Sequence, residues 1–458
     1  MIENDAFKLL LINLFHLNPD DITNIVCTTF NKMMVLLVTL ADKHQACPYC
    51  GFTAPKIKEY VTKEITHSAL TTQKCIIKYR ARRYKCPCCG KTYYEFNPFV
   101  FKSQKISILT VHNILKDLKD FNETFTSVAR RYHVSPTSVS TIFDNHVDIG
   151  RNPLPEIINF DEVYAFKSEK SKYVCVLLDF KKQIPVDVLP NRKKEYLLNY
   201  FQKIPLEERK KVKYACSDMY EVYRDVVHKV FPCSCMLLDY FHLSQDFHRK
   251  MNEVRIKVMK GYKDDKASDE YYLLKKFNWL LFKNPEDEDK YGRLFDVERE
   301  RKYNSHFKSY MNYYDLRRKL VEINNDLTIC YSLKLELVDF YSKSTIDNAQ
   351  VNLEHLIRSC IDTNIEEMIA FSNNLINWKQ EIINSFTIVG TEYKVEADKG
   401  QVVVCNKKVN NAIIENRNKI IKCIKNNANG YTNWSRFRNR VMYVLDPNTT
   451  FSLEPREK

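Results

Sequence analysis

Ile157-Ile158-Asn159-Phe160-Asp161-Glu162 is the stretch of sequence that decides the fold, because a short apolar run ends in two carboxylates. Such a run predicts a buried strand that delivers an acid to a site rather than to solvent. We interpret Asp161 as the first of three metal-binding carboxylates. The other two are predicted to be Asp218 and Glu415, far away in sequence. Glu162 is left out of the site, because alternation points it to the opposite face of the strand.

The segments around and after Asp161 predict a mixed α/β domain. Strands are expected at 156–166, 173–180, 183–189, 212–217 and 233–238, and helices at 193–203 and 219–230. Three antiparallel strands followed by alternating helices and strands is the order found in the ribonuclease H-like fold. In that fold the first and fourth strands lie side by side, so Asp161 and Asp218 are expected to be close together.

The rest of the chain adds further units. A charged and aromatic helical pattern up to about residue 386 predicts an all-helical insertion, broken at 261–269 and 284–290. A hairpin is expected at 387–405, turning at Asp398-Lys399-Gly400, with helices at about 410–426 and after Gly430. We therefore predict a multidomain α/β protein. Its units are 1–102 (β-rich and zinc-binding), 103–150 (helix-turn-helix), 151–245 (catalytic, first part), 246–400 (helical insertion) and 401–458 (catalytic, C-terminal helices).

Two Cys-x-x-Cys motifs, each followed by glycine, lie near the N-terminus: Cys47-Pro48-Tyr49-Cys50-Gly51 and Cys86-Pro87-Cys88-Cys89-Gly90. Four thiolates at this spacing can close tetrahedrally on one zinc ion, so the predicted ligands of a structural Zn²⁺ are Cys47, Cys50, Cys86 and Cys89. Alternative ligands nearby are His44, His67, Cys75 and Cys88, and reduced cysteines in turns are the alternative without metal. A helix at 5–16 and strands at 21–30, 33–40, 58–66 and 73–84 predict a zinc-ribbon-like, β-rich unit.

A helical segment at 106–149 contains a tight stretch, His133-Val134-Ser135, between helices expected at 125–132 and 136–145. Its small and apolar residues are spaced as in a helix-turn-helix, with Ser135 as the N-cap and Pro136 opening the second helix. DNA contacts are predicted for Arg82, Arg83, Arg130, Arg131, Thr137, Ser138, Ser140, Thr141, Lys419 and Lys422. A helical hairpin that binds nothing and a solvated basic surface remain the alternatives.

Composition narrows the class of protein. A chain of 458 residues predicts two to four domains, and its net charge of +14 suits a polyanionic partner such as nucleic acid. No apolar run is long enough for a membrane span and no export signal is recognisable, so we expect a cytoplasmic protein with reduced cysteines and no membrane partner. With only 8 glycines, no Gly-rich phosphate loop can be written, which argues against nucleotide-dependent enzymes.

The three carboxylates predict metal-dependent chemistry on a phosphodiester. Two divalent ions about 3.5 to 4 Å apart can activate a water or a 3′-hydroxyl and stabilise the leaving oxygen. Mg²⁺ prefers oxygen ligands and keeps several waters, so two or three carboxylates suffice. We expect Asp161 to bridge both ions and Asp218 and Glu415 to complete one each, with Mn²⁺ as an alternative ion. The alternative for any single acid is a surface charge or a helix cap.

Short motifs with a common pattern are spread over nearly the whole chain. They are Phe160-Asp161-Glu162-Val163, Val188-Leu189-Pro190-Asn191-Arg192, Ser217-Asp218-Met219-Tyr220, the pair Asp239 and His242, Asn411-Ala412 before Glu415 and Asn418, and Ala428-Asn429-Gly430-Tyr431. In combination they resemble the DDE transposases of bacterial insertion sequences, most closely the ISL-three family. The sequence departs from that pattern at Lys408-Val409, where a Ser or Thr commonly precedes the Asn, and at Asn416, where Gly is usual. Neither departure removes a metal ligand.

The resemblance implies a ribonuclease H-like catalytic domain with a helical insertion and Asp161, Asp218 and Glu415 as catalytic acids. It also implies Mg²⁺-dependent cleavage and joining of double-stranded DNA at terminal inverted repeats, by a homodimer or larger assembly on transposon ends and target DNA in the bacterial nucleoid. Asp239 and His242 match the family's Asp-x-x-His pair, which implies a role in orienting the scissile strand. A helix N-cap with a packed histidine is the alternative for this pair.

Two rival functions remain open at this point. One is a catalytically silent DNA-binding regulator derived from a transposase, and the other is a nuclease that cuts without joining. Three converging acids favour an enzyme, because their mutual repulsion costs stability unless a metal offsets it.

Overall fold

The computed structural model describes residues 2–43, 45–70, 72–101, 104–166, 171–395 and 402–456, and these form a mixed α/β structure. Two five-stranded sheets are its main β elements, one in the N-terminal part and one in the middle of the chain. No helix in the described ranges combines the length and the apolar character that a membrane span requires.

The N-terminal sheet carries the two cysteine motifs in its loops. The elements are α1 (Ile2–Leu14), β1 (Ile22–Phe30), β2 (Met33–Leu40), β3 (Lys56–Thr66), β4 (Cys75–Lys85) and β5 (Thr92–Tyr94). The strand order is β1-β2-β4-β3, and β5 pairs with β4. β1 and β2 are joined at Asn31 and Lys32, whose φ angles of 49° and 60° make the tight turn that the sequence predicts at this point. Helix α1 covers one face of the sheet by burying Leu11, Ile12 and Phe15.

Three short helices follow: α2 (Ile108–Asp117), α3 (Phe125–Arg131) and α4 (Pro136–His146). Each begins at a side-chain cap, and the predicted N-cap Ser135 is confirmed, since its hydroxyl accepts a hydrogen bond from the Ser138 amide. The capping box of Thr124 and Ser127 starts α3. Val128, Ala129, Val139 and Phe143 pack between α3 and α4, so the turn between the two helices is held by an apolar core.

The central sheet contains the stretch that decides the fold. Its elements are β6 (Ile157–Val163), β7 (Val174–Asp179), β8 (Ile184–Leu189), α5 (Lys194–Gln202), α6 (Leu206–Arg209), β9 (Tyr214–Ser217), α7 (Glu221–Val230) and β10 (Cys235–Leu238). The strand order is β10-β9-β6-β7-β8. β6, β7 and β8 run antiparallel, whereas β9 and β10 run parallel to β6. The strands and helices predicted here from the sequence are confirmed with only small shifts of their ends.

A helix-rich block follows β10. Its elements are α8 (Tyr240–Gly261), α9 (Asp269–Lys276), β11 (Glu288–Asp289), β12 (Gly292–Arg293), β13 (Lys302–Asn304), β14 (Ser309–Met311), α10 (Tyr313–Val321), α11 (Asn325–Lys343), α12 (Ala349–Asp362), α13 (Glu366–Asn377) and α14 (Lys379–Asn384).

The prediction of an all-helical insertion is therefore wrong in one respect, because two small antiparallel ribbons, β11-β12 and β13-β14, interrupt the helices. Two residues in these ribbons have positive φ angles that a right-handed helix does not allow: Gly292, the first residue of β12, at 96°, and Lys308, in the turn before β14, at 49°. Helix α8 also runs without a break across the unit boundary that we predicted between residues 245 and 246.

The chain returns to the central sheet at its C-terminal end. A hairpin of β15 (Ile388–Val395) and β16 (Val402–Lys408) leads into α15 (Ala412–Asn427) and α16 (Trp434–Leu445). The predicted hairpin turn at Asp398-Lys399-Gly400 lies outside the described residues. Helix α15 packs on β6 and α16 on β8, through an apolar core that joins strand residues such as Val176 to helix residues such as Ile421. The C-terminal helices thus cover the face of the sheet opposite to α5 and α7.

The three short helices are fixed to this C-terminal layer. Arg440, which is buried in α16, donates hydrogen bonds of 2.8 Å to the carbonyls of Asp120 and Glu123 between α2 and α3. The Tyr443 hydroxyl donates to the Leu115 carbonyl in α2 at 2.9 Å, and its ring meets Phe143 of α4 edge to face. These contacts set the position of α3 and α4 relative to the central sheet.

Candidate active site

Asp161 lies on β6, the middle strand of the central sheet. Its neighbours Phe160 and Ile158 point into the core on one face, so Asp161 points to the other face, towards α15. There its Oδ2 accepts a hydrogen bond of 2.7 Å from Nδ2 of Asn418, and its Oδ1 accepts from the Glu162 amide at 2.7 Å. The carboxylate is therefore held in place at the junction of strand and helix.

Asp218 directly follows β9, which runs parallel to β6. Because the carboxyl ends of parallel strands meet at one edge of a sheet, Asp218 comes close enough to Asp161 for its negative charge to raise the pKa of Asp161. The Oδ1 atom of Asp218 is buried and has no hydrogen-bond partner among the described residues. An unpartnered buried carboxylate oxygen is costly, and a cation beside it would remove that cost.

Glu415 stands in the first turn of α15, one turn before Asn418. A pair of buried asparagines fixes the start of this helix against β6. Nδ2 of Asn159 donates to Oδ1 of Asn411 and to the Asn410 carbonyl, both at 2.7 Å. Glu415 is 33% exposed, and its Oε1 lies 3.8 Å from Nε2 of His242. The side chain of Glu415 thus faces the same edge of the sheet as Asp218.

Asp239 and His242 begin α8 immediately after β10. Asp239 is the N-cap, accepting from the Phe241 amide at 3.4 Å, so the helix-cap alternative for this residue is correct. The pair also belongs to the site, because one ligand atom each from Asp239, His242 and Glu415 lie within 4.8 Å of one another. Nε2 of His242 is 3.9 Å from Asp239. The three side chains could hold a metal ion.

Burial, together with clustered negative charge, raises the pKa values of the carboxyl groups at this edge. The pKa of Asp161 is raised to about 7, chiefly by burial and also by the charge of Asp218, whereas the hydrogen bond from the Glu162 amide and the nearby His242 oppose the shift. Burial likewise raises the pKa of Asp218 to about 6, with Glu162 adding to the shift and His242 and Arg192 opposing it. Burial also raises the pKa of Asp239. A divalent cation would relieve this repulsion.

The residues present fit Mg²⁺ or Mn²⁺. They supply carboxylate oxygens, the ligands that hard cations prefer, together with one buried oxygen that lacks a partner. Asp161 stands on β6, and Asp218 directly follows the neighbouring strand β9. Glu415 stands on α15, the helix that packs on β6, and the close group of ligand atoms that includes Glu415 is completed by Asp239 and His242.

Sequence reasoning missed two side chains that shape the site. Glu162 points away from α15 as expected and pairs with Arg192, with the Tyr223 hydroxyl 3.4 Å from its Oε2. Its charge nevertheless acts on Asp218. Asn159 was also missed, because its partners lie more than two hundred residues away. The only available sign was a polar residue within an apolar strand.

The four predicted zinc ligands come together in the N-terminal sheet. One sulfur each from Cys47, Cys50, Cys86 and Cys89 lie within 4.8 Å of one another. Two of the sulfur–sulfur distances are 3.7 Å, between Cys47 and Cys89, and 3.5 Å, between Cys50 and Cys86. Four thiolates around a zinc ion at about 2.3 Å would stand about 3.8 Å apart. The cluster is therefore compatible with a tetrahedral zinc site.

The glycines that end the two motifs have a clear role. Gly51 and Gly90 have φ angles of 75° and 71°, and their amides donate back to the carbonyls of Cys47 and Cys86 at 2.9 Å. This left-handed turn favours glycine and folds each knuckle around its two sulfurs.

The alternative ligands within the described residues, His67, Cys75 and Cys88, do not belong to the group of four close sulfurs. Cys75 is buried in the core of the sheet, and Cys88 is exposed. His67 is engaged elsewhere, because Nε2 donates to the Phe15 carbonyl at 2.8 Å and Nδ1 lies 2.9 Å from Oγ of Ser107. His44 lies outside the described residues.

Two arginines predicted to contact DNA are engaged inside the protein. Arg82 pairs with Glu95 at 2.8 Å and donates to the carbonyls of Leu40 and Ala41, with its side chain only 16% exposed. Arg131 bridges Asp117 and Glu123. These contacts occupy part of each guanidinium, and phosphate contacts by Arg82 and Arg131 stay a prediction.

The other predicted DNA contacts differ in their exposure. Arg83 is one-third exposed and pairs with Glu59 at 2.7 Å. Five of the residues predicted to contact DNA have exposed side chains: Arg130, Thr137, Thr141, Lys419 and Lys422. Ser138 and Ser140 are half-buried, and the Ser140 hydroxyl donates to the Thr137 carbonyl at 3.0 Å.

Comparison with known proteins finds a family model and a curated relative that are similar to this chain. The family model for ISL-three DDE transposases, described as "Transposase", matches residues 158–397, just over half of the chain. This range includes Asp161, Asp218, Asp239 and His242 and ends before Glu415. A similar curated protein is "Transposase for insertion sequence element IS1001" of Bordetella parapertussis, which is 19% identical over 409 residues, 89% of this chain and 90% of the relative. The chain belongs to the ISL-three family of DDE transposases.

Proposed function

We propose that this protein binds the terminal inverted repeats of an insertion sequence and cuts and joins DNA strands there in a Mg²⁺-dependent reaction. Asp161, Asp218 and Glu415 are the proposed metal ligands. The observation that carries the proposal is the approach of Asp161 and Asp218 on neighbouring parallel strands, where Oδ1 of Asp218 is buried without a partner among the described residues. Glu415 approaches the same edge through His242, at 3.8 Å. A polynucleotidyl transferase requires such a site, whereas a purely structural domain does not.

The central sheet supports a ribonuclease H-like catalytic domain. From one edge of the sheet to the other, the strands are β8, β7, β6, β9 and β10. Of the first three in the chain, β6 and β8 run antiparallel to β7, and the last two, β9 and β10, run parallel to β6. This is the order expected from the sequence for that fold. In open α/β sheets, binding sites form at the carboxyl ends of the parallel strands, which is where Asp218 and Asp239 stand.

In the proposed reaction Mg²⁺, or Mn²⁺ in its place, supplies Lewis acid chemistry at the attacking and leaving oxygens of one phosphodiester. The protein's own residues set the geometry. Asn418 orients the Asp161 carboxylate, and the asparagine pair of Asn159 and Asn411 fixes the helix that carries Glu415. His242 lies between Glu415 and Asp239, where it could help to orient the scissile strand, as the family resemblance implies.

We propose that α3 and α4 form the DNA-binding helix-turn-helix. Exposed Thr137 and Thr141 on α4 suit the major groove, and exposed Arg130 on α3 suits the phosphate backbone. Lys419 and Lys422 are exposed on the same helix as Glu415, so they could contact DNA beside the acids. The anchoring of α2 and α3 by Arg440 of α16 would keep bound DNA in a fixed relation to the site.

Zinc would play a structural part in this scheme. The four cysteines fill a tetrahedral shell and leave no position for a substrate, so the ion would stabilise the N-terminal sheet rather than take part in strand cleavage.

The test uses purified protein, DNA that carries the inverted repeats flanking its gene, and Mg²⁺. We expect strand cleavage by the wild type, and joining when pre-cleaved ends are supplied. Asp218→Asn should abolish both activities, whereas Asp225→Asn, a matched change on the partly exposed face of α7, should leave them intact. Cleavage that persists in Asp218→Asn would overturn the assignment. Cleavage without joining would indicate a nuclease that cuts DNA but does not join it. DNA binding without cleavage would indicate a catalytically silent regulator.

A further inference from the structure

Strand β1 is an edge of the N-terminal sheet, and the irregularity in its pairing with β2 lies at the start of the strand, between Ile22 and Asn24. Within the described residues it pairs only with β2, so its other side presents free backbone donors and acceptors along nine residues. Its sequence, Ile-Thr-Asn-Ile-Val-Cys-Thr-Thr-Phe, contains no charged residue and no proline. Proteins usually protect such an edge with charges, proline or a bulge, because it otherwise pairs with another strand.

Apolar side chains accompany this edge on both sides of the sheet. Val26 and Phe30 are 45% and 63% exposed on the outer face. On the inner face α1 packs over β1, and its second half carries exposed apolar side chains besides the buried Leu11 and Ile12. Phe7, Leu10 and Leu14 form a stripe at helical spacing that is 53%, 59% and 47% exposed. An apolar stripe on a helix normally packs against another part of the protein or against a partner.

We propose that β1 and α1 form the interface with a second copy of this chain. The two β1 strands would pair antiparallel about a two-fold axis and join the two N-terminal sheets into one. Because α1 lies over the edge strand, the same axis would bring the two α1 helices side by side. A single isologous contact would therefore cover both the free edge and the apolar stripe.

The size of the surface suits a second copy. The five exposed apolar side chains offer on the order of 500 Å², before the strand backbone is counted, against about 800 Å² per partner in a standard interface. A strand without charges meets its own copy without repulsion. This inference deepens the proposed function, in which two DNA ends are joined in one event and two catalytic sites are needed.

The midpoint of β1 gives the sharpest test. Full-length antiparallel pairing places the two copies of Val26 opposite each other, so Val26→Lys would set two ammonium groups face to face. Leu10→Glu would place two carboxylates between the α1 helices. The controls are Val351→Lys in α12 and Leu206→Glu in α6, which change exposed residues of other elements.

Sedimentation velocity of the zinc-loaded full chain without DNA, at low micromolar concentration, measures the association. We expect a wild-type dimer, at least tenfold weaker dimerisation in Val26→Lys and in Leu10→Glu, and no change in either control. Melting temperatures identify a variant that fails to fold, and in that case the other variant decides. A monomeric wild type at tens of micromolar, or a dimer unaffected by both substitutions, would overturn the interface.

Failure of the interface and failure of the proposed function give different results. Asp218→Asn should remain dimeric while losing DNA cleavage. If the enzyme cleaves DNA but neither Val26→Lys nor Leu10→Glu weakens its dimerisation, only the proposed interface is contradicted.

Discussion

Asn418 donates a hydrogen bond of 2.7 Å from its Nδ2 to Oδ2 of Asp161, although the two residues lie 257 positions apart. The bond joins α15 to β6 and orients the carboxylate that we propose as the bridging metal ligand. Glu415 stands one turn earlier on the same helix, so a single helix both supplies one acid and orients another.

Removing this bond should weaken metal binding rather than folding. We expect Asn418→Ala to lower Mg²⁺ affinity or cleavage rate by about 10- to 100-fold, because partners that orient metal ligands typically contribute that much. Cleavage measured across a Mg²⁺ titration separates the two effects. Asn427→Ala, an exposed change at the end of α15, is the control and should match the wild type. An unchanged Mg²⁺ titration in Asn418→Ala would remove Asn418 from the site.

The cysteine cluster should carry about one zinc ion per chain. Elemental analysis should find this zinc lost in Cys86→Ser, because three thiolates no longer close the tetrahedron. Cys88→Ser, two residues away and exposed, should retain it. Zinc retained in Cys86→Ser, or lost in Cys88→Ser, would refute the ligand set.

The buried His67 should make stability depend on pH. Burial lowers the pKa of His67, although the Phe15 carbonyl opposes this shift. The unfolded chain therefore binds a proton near pH 6.5 that the folded chain does not, so this contribution is complete above that pH and is lost as the pH falls below it. Urea unfolding at pH 7.5 and 5.5 should show a smaller loss of stability on acidification for His67→Asn than for the wild type. His228→Asn, at an exposed position, should keep the wild-type loss, and an equal loss in all three proteins would contradict the assignment.

The buried Arg440 should be needed to hold α2 and α3 against α16. Arg440→Leu leaves the carbonyls of Asp120 and Glu123 unpaired, so we expect a loss of about 2 to 4 kcal/mol in the free energy of unfolding. Arg318→Leu, whose side chain is 61% exposed on α10, should cost little. Thermal and chemical unfolding test both variants, and equal stabilities would show that the anchoring is unimportant.

Much of this architecture could be predicted from the sequence. The alternation around Asp161 and the turn after β9 indicated where two acids would meet, and the Cys-x-x-Cys spacing indicated the sulfur cluster. These patterns are local, so one sequence suffices to read them. The ribbons β11-β12 and β13-β14 were missed because two or three residues are too few to show a period.

The sequence did not predict which distant side chains form hydrogen bonds or ion pairs with each other. Arg82 was expected to meet phosphates, and its contacts with Glu95 and with two carbonyls of the β2 end were not foreseen. The pairing of Asn159 with Asn411 likewise depends on how α15 lies across β6. Both outcomes follow from tertiary packing, which a single sequence does not specify residue by residue.

The most direct test of the central claim is the anomalous diffraction of Mn²⁺ in crystals of the protein bound to its end DNA. We predict two manganese ions about 3.5 to 4 Å apart, with carboxylate oxygens of Asp161, Asp218 and Glu415 among their ligands. Manganese bound elsewhere, or three carboxylates that share no ion, would contradict it.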